Sequence, residues 1–254
     1  MPPRFSVIIP AYNEEQYLPR LLDSIHLATA RFGDGNEIEI IVADNSSTDR
    51  TAEIAATMGA RVVAVTKRSI AAARNGGASV ANGHVLCFID ADSALHPDTF
   101  VKIGEAMSDP SIIAGSTGIH LERRSLPILL VYWMLVPFTW IFGVDTGVVF
   151  CRRRDFDEVG GYNEDLLIAE DVTFLFDLKR LGRKRGQKLT RVAGAEALGS
   201  TRKFDQHGDW HYFAILPKAI AAFVRSGFRL RNLKSEIENP KSGSLTDYWY
   251  NPDR

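Results

Sequence analysis

The 254-residue sequence predicts an α/β fold: a mostly parallel open sheet flanked by helices. Short apolar runs alternate with amphipathic segments through residue 107 or so. Glycines stand where the amphipathic segments end, and small polar and acidic loops stand where the apolar runs end. Strand–helix alternation of this kind puts helices on both faces of parallel strands, and the length suits one such domain.

Phe5 to Ile9 is a buried strand closed by Pro10. Glu14 to Ile25 carries Tyr17, Leu18, Leu21, Leu22 and Ile25 at helical spacing. Ile38 to Val42 is a second strand, and Thr48 to Met58 a helix stopped by Gly59. Arg61 to Val65 is a third strand, followed by an Ala-rich helix from Ile70 to Asn82 and then Gly83. Val85 to Ile89 is a fourth strand, and His96-Pro97 opens the next helix. The second half is less regular. Gly147 to Cys151 predicts a strand, Asp155 to Val159 a short helix before Gly160-Gly161, and Val172 to Leu181 a helix ended by Gly182. Trp210 to Val224 predicts an amphipathic helix, and from Asn232 the chain is a polar tail.

Hydrophobic residues are 45% and charged residues 24% of the chain, ordinary for a soluble globular protein. A formal net charge of -1 gives no general attraction to nucleic acid. The two cysteines, Cys87 and Cys151, each lie in an apolar run and suit small buried residues in a reducing compartment. The apolar run at the N-terminus is interrupted too early for a secretory signal, so a cytoplasmic location is expected. Metal-type His and Cys spacings, a Gly-x-Ser-x-Gly elbow and a Walker loop are all absent from the sequence.

Ligands of open α/β sheets bind beyond the carboxyl ends of the strands. That rule selects PAYNE at 10–14, DNSSTD at 44–49, TKRS at 66–69 and DADS at 90–93. Asp90 and Asp92, flanking Ala91, could converge on magnesium or manganese, which prefer oxygen ligands and accept phosphate oxygens. The alternative is a solvated turn that caps a helix. Asp44 could accept a hydrogen bond from a uracil or guanine ring N–H, and its loop equally suits a capped helix start. Arg74 could meet a diphosphate, hold a site aspartate, or form a surface ion pair. Glu170-Asp171 could supply a general base, or simply favour a helix N-terminus.

These residues resemble the family 2 glycosyltransferases of the GT-A fold. SVIIPAYNEEQYLPRLLDSI is similar to that family's opening strand and loop, and ADNSSTDRT to its Asp-Asp/Asn-Gly-Ser-Thr-Asp segment. IAAARNGGASVANGHVLCFIDADS resembles the stretch ending in Asp-x-Asp, and GVVFCRRRDFDEVGGYNEDLLIAEDVTFLFDLKRLGRK the acceptor-side region with Glu-Asp. The resemblance covers roughly residues 5 to 185. It implies one domain over 1–231, with a nucleotide-sugar-binding half at about 1–115, an acceptor-side half at about 116–231, and a tail at 232–254. It implies a nucleoside-diphosphate sugar donor lined by Pro10, Tyr12, Asn13 and Glu14, with Asp44 at the base and Arg74 supporting the nucleotide. Asp90 and Asp92 would hold the diphosphate through Mn2+ or Mg2+, with His207 a further metal ligand and Arg202 meeting the diphosphate from a closing loop. Asp171 would be the base, with Glu170 beside it, and the outcome inversion. Asn45 departs from the second aspartate of many members, and the Gln-x-x-Arg-Trp motif of processive synthases is missing.

Leu126 to Val144 is uncharged, and Arg123-Arg124 and Arg152-Arg153-Arg154 flank it. A span there would put Asp90 and Asp171 on opposite sides of a bilayer, so it is expected not to cross. Core packing or a homodimer contact is one reading. The other is peripheral contact with the cytoplasmic face of a membrane, serving a lipid-linked acceptor in cell-envelope synthesis. A sugar or a small molecule would serve as acceptor equally. Two rival functions stand beside it, a noncatalytic nucleotide-sugar-binding or scaffolding module on the same fold and a nucleotidyltransferase on a related sheet. The retained Asp90, Asp92 and Asp171 oppose the first, and the lack of a Gly-rich phosphate loop opposes the second.

Overall fold

The computed structural model describes residues 3–33, 37–123, 125–130, 133, 146–166 and 170–210, with only the backbone at 203, 206 and 207. Of the expected helix at 210–224 only Trp210 is described, and the tail and most of 126–144 lie outside the described residues.

The core strand β1 is Phe5–Ala11, longer than expected because Pro10 does not end it. Ile8 O accepts from Ile89 N on one side, and Ala11 O accepts from Asn45 N on the other. Alternation along the strand therefore turns Pro10 toward the β4 side, beyond the last paired residue, where its missing N–H costs no ladder bond. Beside β1 run β2 (Ile38–Asp44) and β4 (Val85–Phe88), both parallel to it, and β3 (Arg61–Ala64) pairs with β2. Further strands β5 (Ile112–Ser116), β7 (Val149–Arg152) and β8 (Lys188–Arg191) complete the order β3-β2-β1-β4-β7-β5-β8. Strand β7 is antiparallel to both neighbours. A two-stranded parallel sheet joins β6 (Ile119–Leu121) to β9 (Ala197–Gly199), and Ala94 bridges to Leu198.

Period-two alternation divides the core. Phe5, Val7 and Ile9 face α1 (Leu18–Phe32) and α4 (Thr99–Ser108), packing with Leu21, Ile25, Phe100 and Ile103. Ile8, Leu86 and Phe88 face the other layer, where Phe156, Tyr162, Phe174 and Leu178 pack. That layer holds α3 (Ile70–Val80), α5 (Arg153–Val159) and α6 (Glu170–Lys184). The short α2 (Thr51–Thr57) follows β2. Cys87 and Cys151 are buried and unbridged, as expected.

Several boundaries differ from the expectation. Helix α1 starts at Leu18, because residues 14–17 make a turn in which Glu14 O accepts from Tyr17 N and Leu18 N. Helix α2 starts at Thr51, whose N–H donates to the Asp49 carboxylate, and α4 starts at Thr99, with Pro97 in the turn before it. Gly182 does not end α6. It lies inside the helix against β5, where a Cβ would come 2.9 Å from Ile113 Cγ2, and the helix continues to Lys184. Among the described residues no helix is long and apolar enough to cross a membrane.

Candidate active site

The loops after β1, β2 and β4 meet at one edge of the sheet, held together by polar side chains. Asn13 takes a left-handed backbone at φ 53, which Asn tolerates. Its Oδ1 accepts from Thr48 N at 2.8 Å, and its own N–H donates to Ser47 Oγ at 3.1 Å. Asp49 accepts from Thr51 N at 3.0 Å and from Glu15 N at 3.1 Å, so the last residue of the DNSSTD segment bonds the first residue of α2, whose N-cap position is Arg50. Although burial opposes it, these bonds hold the Asp49 carboxyl below its ordinary range. Asn45 is buried. It donates to Val65 O at 2.9 Å and Lys67 O at 2.8 Å and accepts from Ser69 N at 3.1 Å, pinning the β3–α3 loop. A carboxylate could not donate those two bonds, which explains asparagine here. The Arg68 guanidinium lies 4.3 Å over the Tyr12 ring.

A cleft of about 120 Å³ opens among these loops, lined by Pro10, Tyr12, Glu14, Asn45, Asp90, Ala91, Asp92 and Arg202, among others. That is small for a nucleotide sugar, and Arg202 lies across it. Arg202 comes from α7 (Arg202–His207) and donates to both Glu14 oxygens at 2.7 Å, while its Nε stands 3.1 Å from Asp92 Oδ2. Burial disfavours its charge, but Glu14 and Asp92 more than compensate and raise its pKa. Asn13 and Asp44 are not in that lining. Asp44 Oδ1 accepts from Ser47 N at 3.3 Å. The side chain of His207 is outside the described residues.

Beneath the cleft lies a second constellation. Arg74, on α3, is buried. It donates to Asp90 Oδ1 at 2.9 Å and to Glu170 Oε1 at 3.1 Å, and its Nη1 is 2.7 Å from Asp171 Oδ1. Of the three readings open for Arg74, holding the site acids is the one these distances match. One guanidinium thus joins the strand-end aspartate to the Glu-Asp pair that opens α6. Burial works against the Arg74 charge, yet Asp171 and Asp90 outweigh it and carry the pKa well above the ordinary value. Burial raises Asp171 to about 7. Arg74 pulls it down, and Glu170 and Asp90 push it up. Some of the Asp171 side chain reaches solvent, but Oδ1 is buried.

Tyr162 lies against this cluster, with Arg74 5.1 Å over its ring. Sequence reading assigned no role to it or to Asn75, whose side chain clasps its backbone. The Gly160-Gly161 pair was the available signal, since both take positive φ and mark a built turn. Among the described residues six buried side-chain atoms lack a hydrogen bond, and three are in this cluster: Arg74 Nε, Tyr162 Oη and Asp171 Oδ1. Such groups are rare in folded proteins, and each calls for an explanation.

Oxygen ligands of the kind hard divalent cations prefer are present in Asp90 and Asp92. Each is met here by a guanidinium, from Arg74 and Arg202, so the pair already accepts positive charge. Among the described residues no group of three or more His, Cys, Asp or Glu side chains could hold a metal alone. The pair therefore suits a cation whose remaining ligands are phosphate oxygens and water.

An open sheet with acids at its strand ends, flanked by helices in this order, is the GT-A fold. The chain belongs to glycosyl transferase family 2, whose model matches residues 6–129. A PGL/p-HBAD biosynthesis glycosyltransferase of Mycobacterium bovis is 34% identical over 190 residues, 68% of each chain. The 4,4'-diaponeurosporenoate glycosyltransferase of Staphylococcus haemolyticus is 44% identical over 98 residues, covering 36% of this chain and 24% of that relative. Among solved structures, a mannosyltransferase from Pyrobaculum calidifontis in complex with GDP-Man and Mn2+ matches with a TM-score of 0.63 and 21% identity. That match covers 78% of this chain and 57% of the other. A glucosyl-3-phosphoglycerate synthase from Mycobacterium tuberculosis, with Mn2+, UDP and glucosyl-3-phosphoglycerate, matches with a TM-score of 0.59 and 19% identity, over 84% and 78% of the two chains.

Proposed function

We propose that this chain transfers a sugar from a nucleoside-diphosphate sugar to an acceptor hydroxyl, with inversion. The observation that carries this reading is the Arg74 hub, which holds Asp90, Glu170 and Asp171 within one site although 80 residues separate Asp90 from Glu170. The Pyrobaculum mannosyltransferase holds GDP-Man with Mn2+ and the mycobacterial synthase holds UDP with Mn2+, which supports the same donor class here. Asp90 and Asp92 would hold Mn2+ or Mg2+, which would stabilise negative charge on the departing diphosphate.

The chain's own residues do the rest. Tyr12 lines the nucleotide end of the cleft, with Arg68 on its ring. Asp44 serves the base. Asp171 accepts the acceptor's hydroxyl proton as its oxygen attacks the anomeric carbon, and the bond to the diphosphate oxygen breaks with its electron pair. Glu170 stays on Arg74 beside the acceptor. Arg202 leaves Asp92 when the donor enters and meets the diphosphate, closing the cleft. A lipid-linked acceptor at the cytoplasmic membrane face fits the exposed Leu126, Leu129, Leu130 and Trp133.

Calorimetry with UDP and GDP, each with and without Mn2+, tests the donor site. Binding should require the metal and vanish when Asp90 and Asp92 are both changed to alanine. Undiminished affinity in that variant would overturn the assignment.

A further inference from the structure

We infer that the edge of the sheet opposite the strand-end loops holds a second ligand site, an arginine-lined cavity that binds a small phosphate-bearing anion.

A cavity of about 590 Å³ opens there, lined by Arg4, His84, Arg152, Arg153, Arg154 and Asp157, among others. Its volume lies within the range of small-molecule sites. Strand β7 carries the arginines to this edge. It runs antiparallel to β4, so that Val149 pairs with Phe88 near the DADS loop while Arg152 pairs with Val85 at the other end of the strand. Arg4 precedes β1, His84 precedes β4, and α5 starts at Arg153. Three separate parts of the chain thus converge on one space, with four arginines against a single acid among the described lining residues.

Two of the arginines are fixed by the fold. Arg152 donates to Ile112 O at 2.5 Å and to Met107 O at 2.9 Å, where α4 ends and β5 begins. Arg153 donates to Ala78 O at 3.2 Å and to Ala81 O, at the end of α3. Helix-end carbonyls carry only partial negative charge, so both guanidiniums are held in place without being neutralised. Carboxylates do not make up the difference. Asp155 is bound by Arg185 at 2.7 Å, with Arg154 at 3.6 Å and Arg152 at 3.9 Å. Arg4 is met by the Phe5 and Phe32 rings and by Gly104 O, and Arg153 by carbonyls alone among the described residues. Burial holds the Arg152 pKa below its ordinary value; Asp155 opposes this and the Arg154 charge reinforces it. Helix capping explains Arg152 and Arg153. It leaves Arg4 and Arg154, both exposed at the cavity, with side chains that can turn onto a ligand. The planar fork of a guanidinium matches phosphate oxygens two at a time. Because the site is concave, a soluble ion can enter it, whereas a bilayer would meet only the arginines at its rim.

The test titrates 15N-labelled protein with inorganic pyrophosphate in the absence of divalent cations. Amides of 84–85 and 152–157 should shift while those of 90–93 stay in place. Affinity should fall about tenfold or more in the Arg4→Gln/Arg154→Gln double variant through lost charge-assisted bonds. That variant should remain folded, since both side chains are exposed. Arg180→Gln/Arg183→Gln, which removes the same charge from exposed positions on α6, should leave the affinity unaltered. Absent binding, shifts centred on 90–93, or equal losses in the two double variants would each overturn the inference. Vesicles of phosphatidylglycerol separate the sources of phosphate. Co-sedimentation of the wild type but not of Arg4→Gln/Arg154→Gln, with no response to pyrophosphate, would assign the arginines to a lipid surface and overturn the soluble ligand.

Discussion

Asp171 has the most informative chemistry of any single residue in the site. At its pKa of about 7 the carboxyl is half ionised near neutrality, where a general base is most effective. Asp171→Asn keeps the shape and removes the carboxylate proposed as base, so transfer should fall by roughly 10²- to 10⁴-fold while nucleotide affinity changes little. Parallel measurement of transfer rate and UDP or GDP affinity checks this. In the wild type the rate should climb as pH rises through 7. The same shift makes a stability prediction. The folded-state pKa lies above the ordinary value of 3.8, so the stability it contributes is full below pH 3.8 and is lost as pH rises to about 7. The asparagine variant should therefore melt on the order of a few degrees higher than wild type at pH 8 and show no such gain at pH 4. Thermal scans at the two pH values decide it. The position of Asp171 at a helix start was legible in the sequence. Its burial against Arg74 was not, because the two residues come from separate helices 97 positions apart.

Elements carry the next level of constraint, and here asparagine and glycine matter more than acids. Asn45 links the end of β2 to the loop that starts α3. Asn45→Asp would set a carboxylate against two carbonyl oxygens and should cost about 1–3 kcal/mol, measurable by urea unfolding. Helix α3 lies close on β1 because it is small at the contact: a Cβ on Gly77 would come 2.5 Å from Ile8 Cγ2. Gly77→Ala should destabilise by about 1–3 kcal/mol through overpacking, again by urea unfolding. The Ala-rich, Gly-containing character of α3 was visible in the sequence. That this composition serves a close helix–sheet approach became clear only with the partner strand in place.

For the molecule as a whole, one ion pair ties the ends of the described chain together. Arg202 and Glu14 are 188 residues apart, and Ala94, just beyond DADS, bridges to β9, which leads into α7. Arg202→Ala should leave Glu14 and Asp92 without that guanidinium. Hydrogen exchange should then speed up across 197–207 while the β1, β2 and β4 amides remain protected. The proposed membrane contact is a property of the whole molecule too. If basic flanks assist an apolar surface, high salt should release much of the membrane-associated protein, as judged by sedimentation.

The sequence by itself determined the alternation of the first hundred residues, the burial of both cysteines and the four loops at the strand ends. These depend on patterns a few residues long, the range over which side-chain periodicity and turn chemistry act. Strands β5, β6, β8 and β9, each only three to five residues long, carried no such signal. Only the tertiary structure decided that β7 runs against its neighbours and that Gly182 sits within a helix. It also decided that Arg74 gathers three acids and that Arg202 lies across the cleft. The physical reason is the same in each case: pairing partners and counter-ions are chosen by proximity in space, and local sequence does not encode which distant segment will arrive.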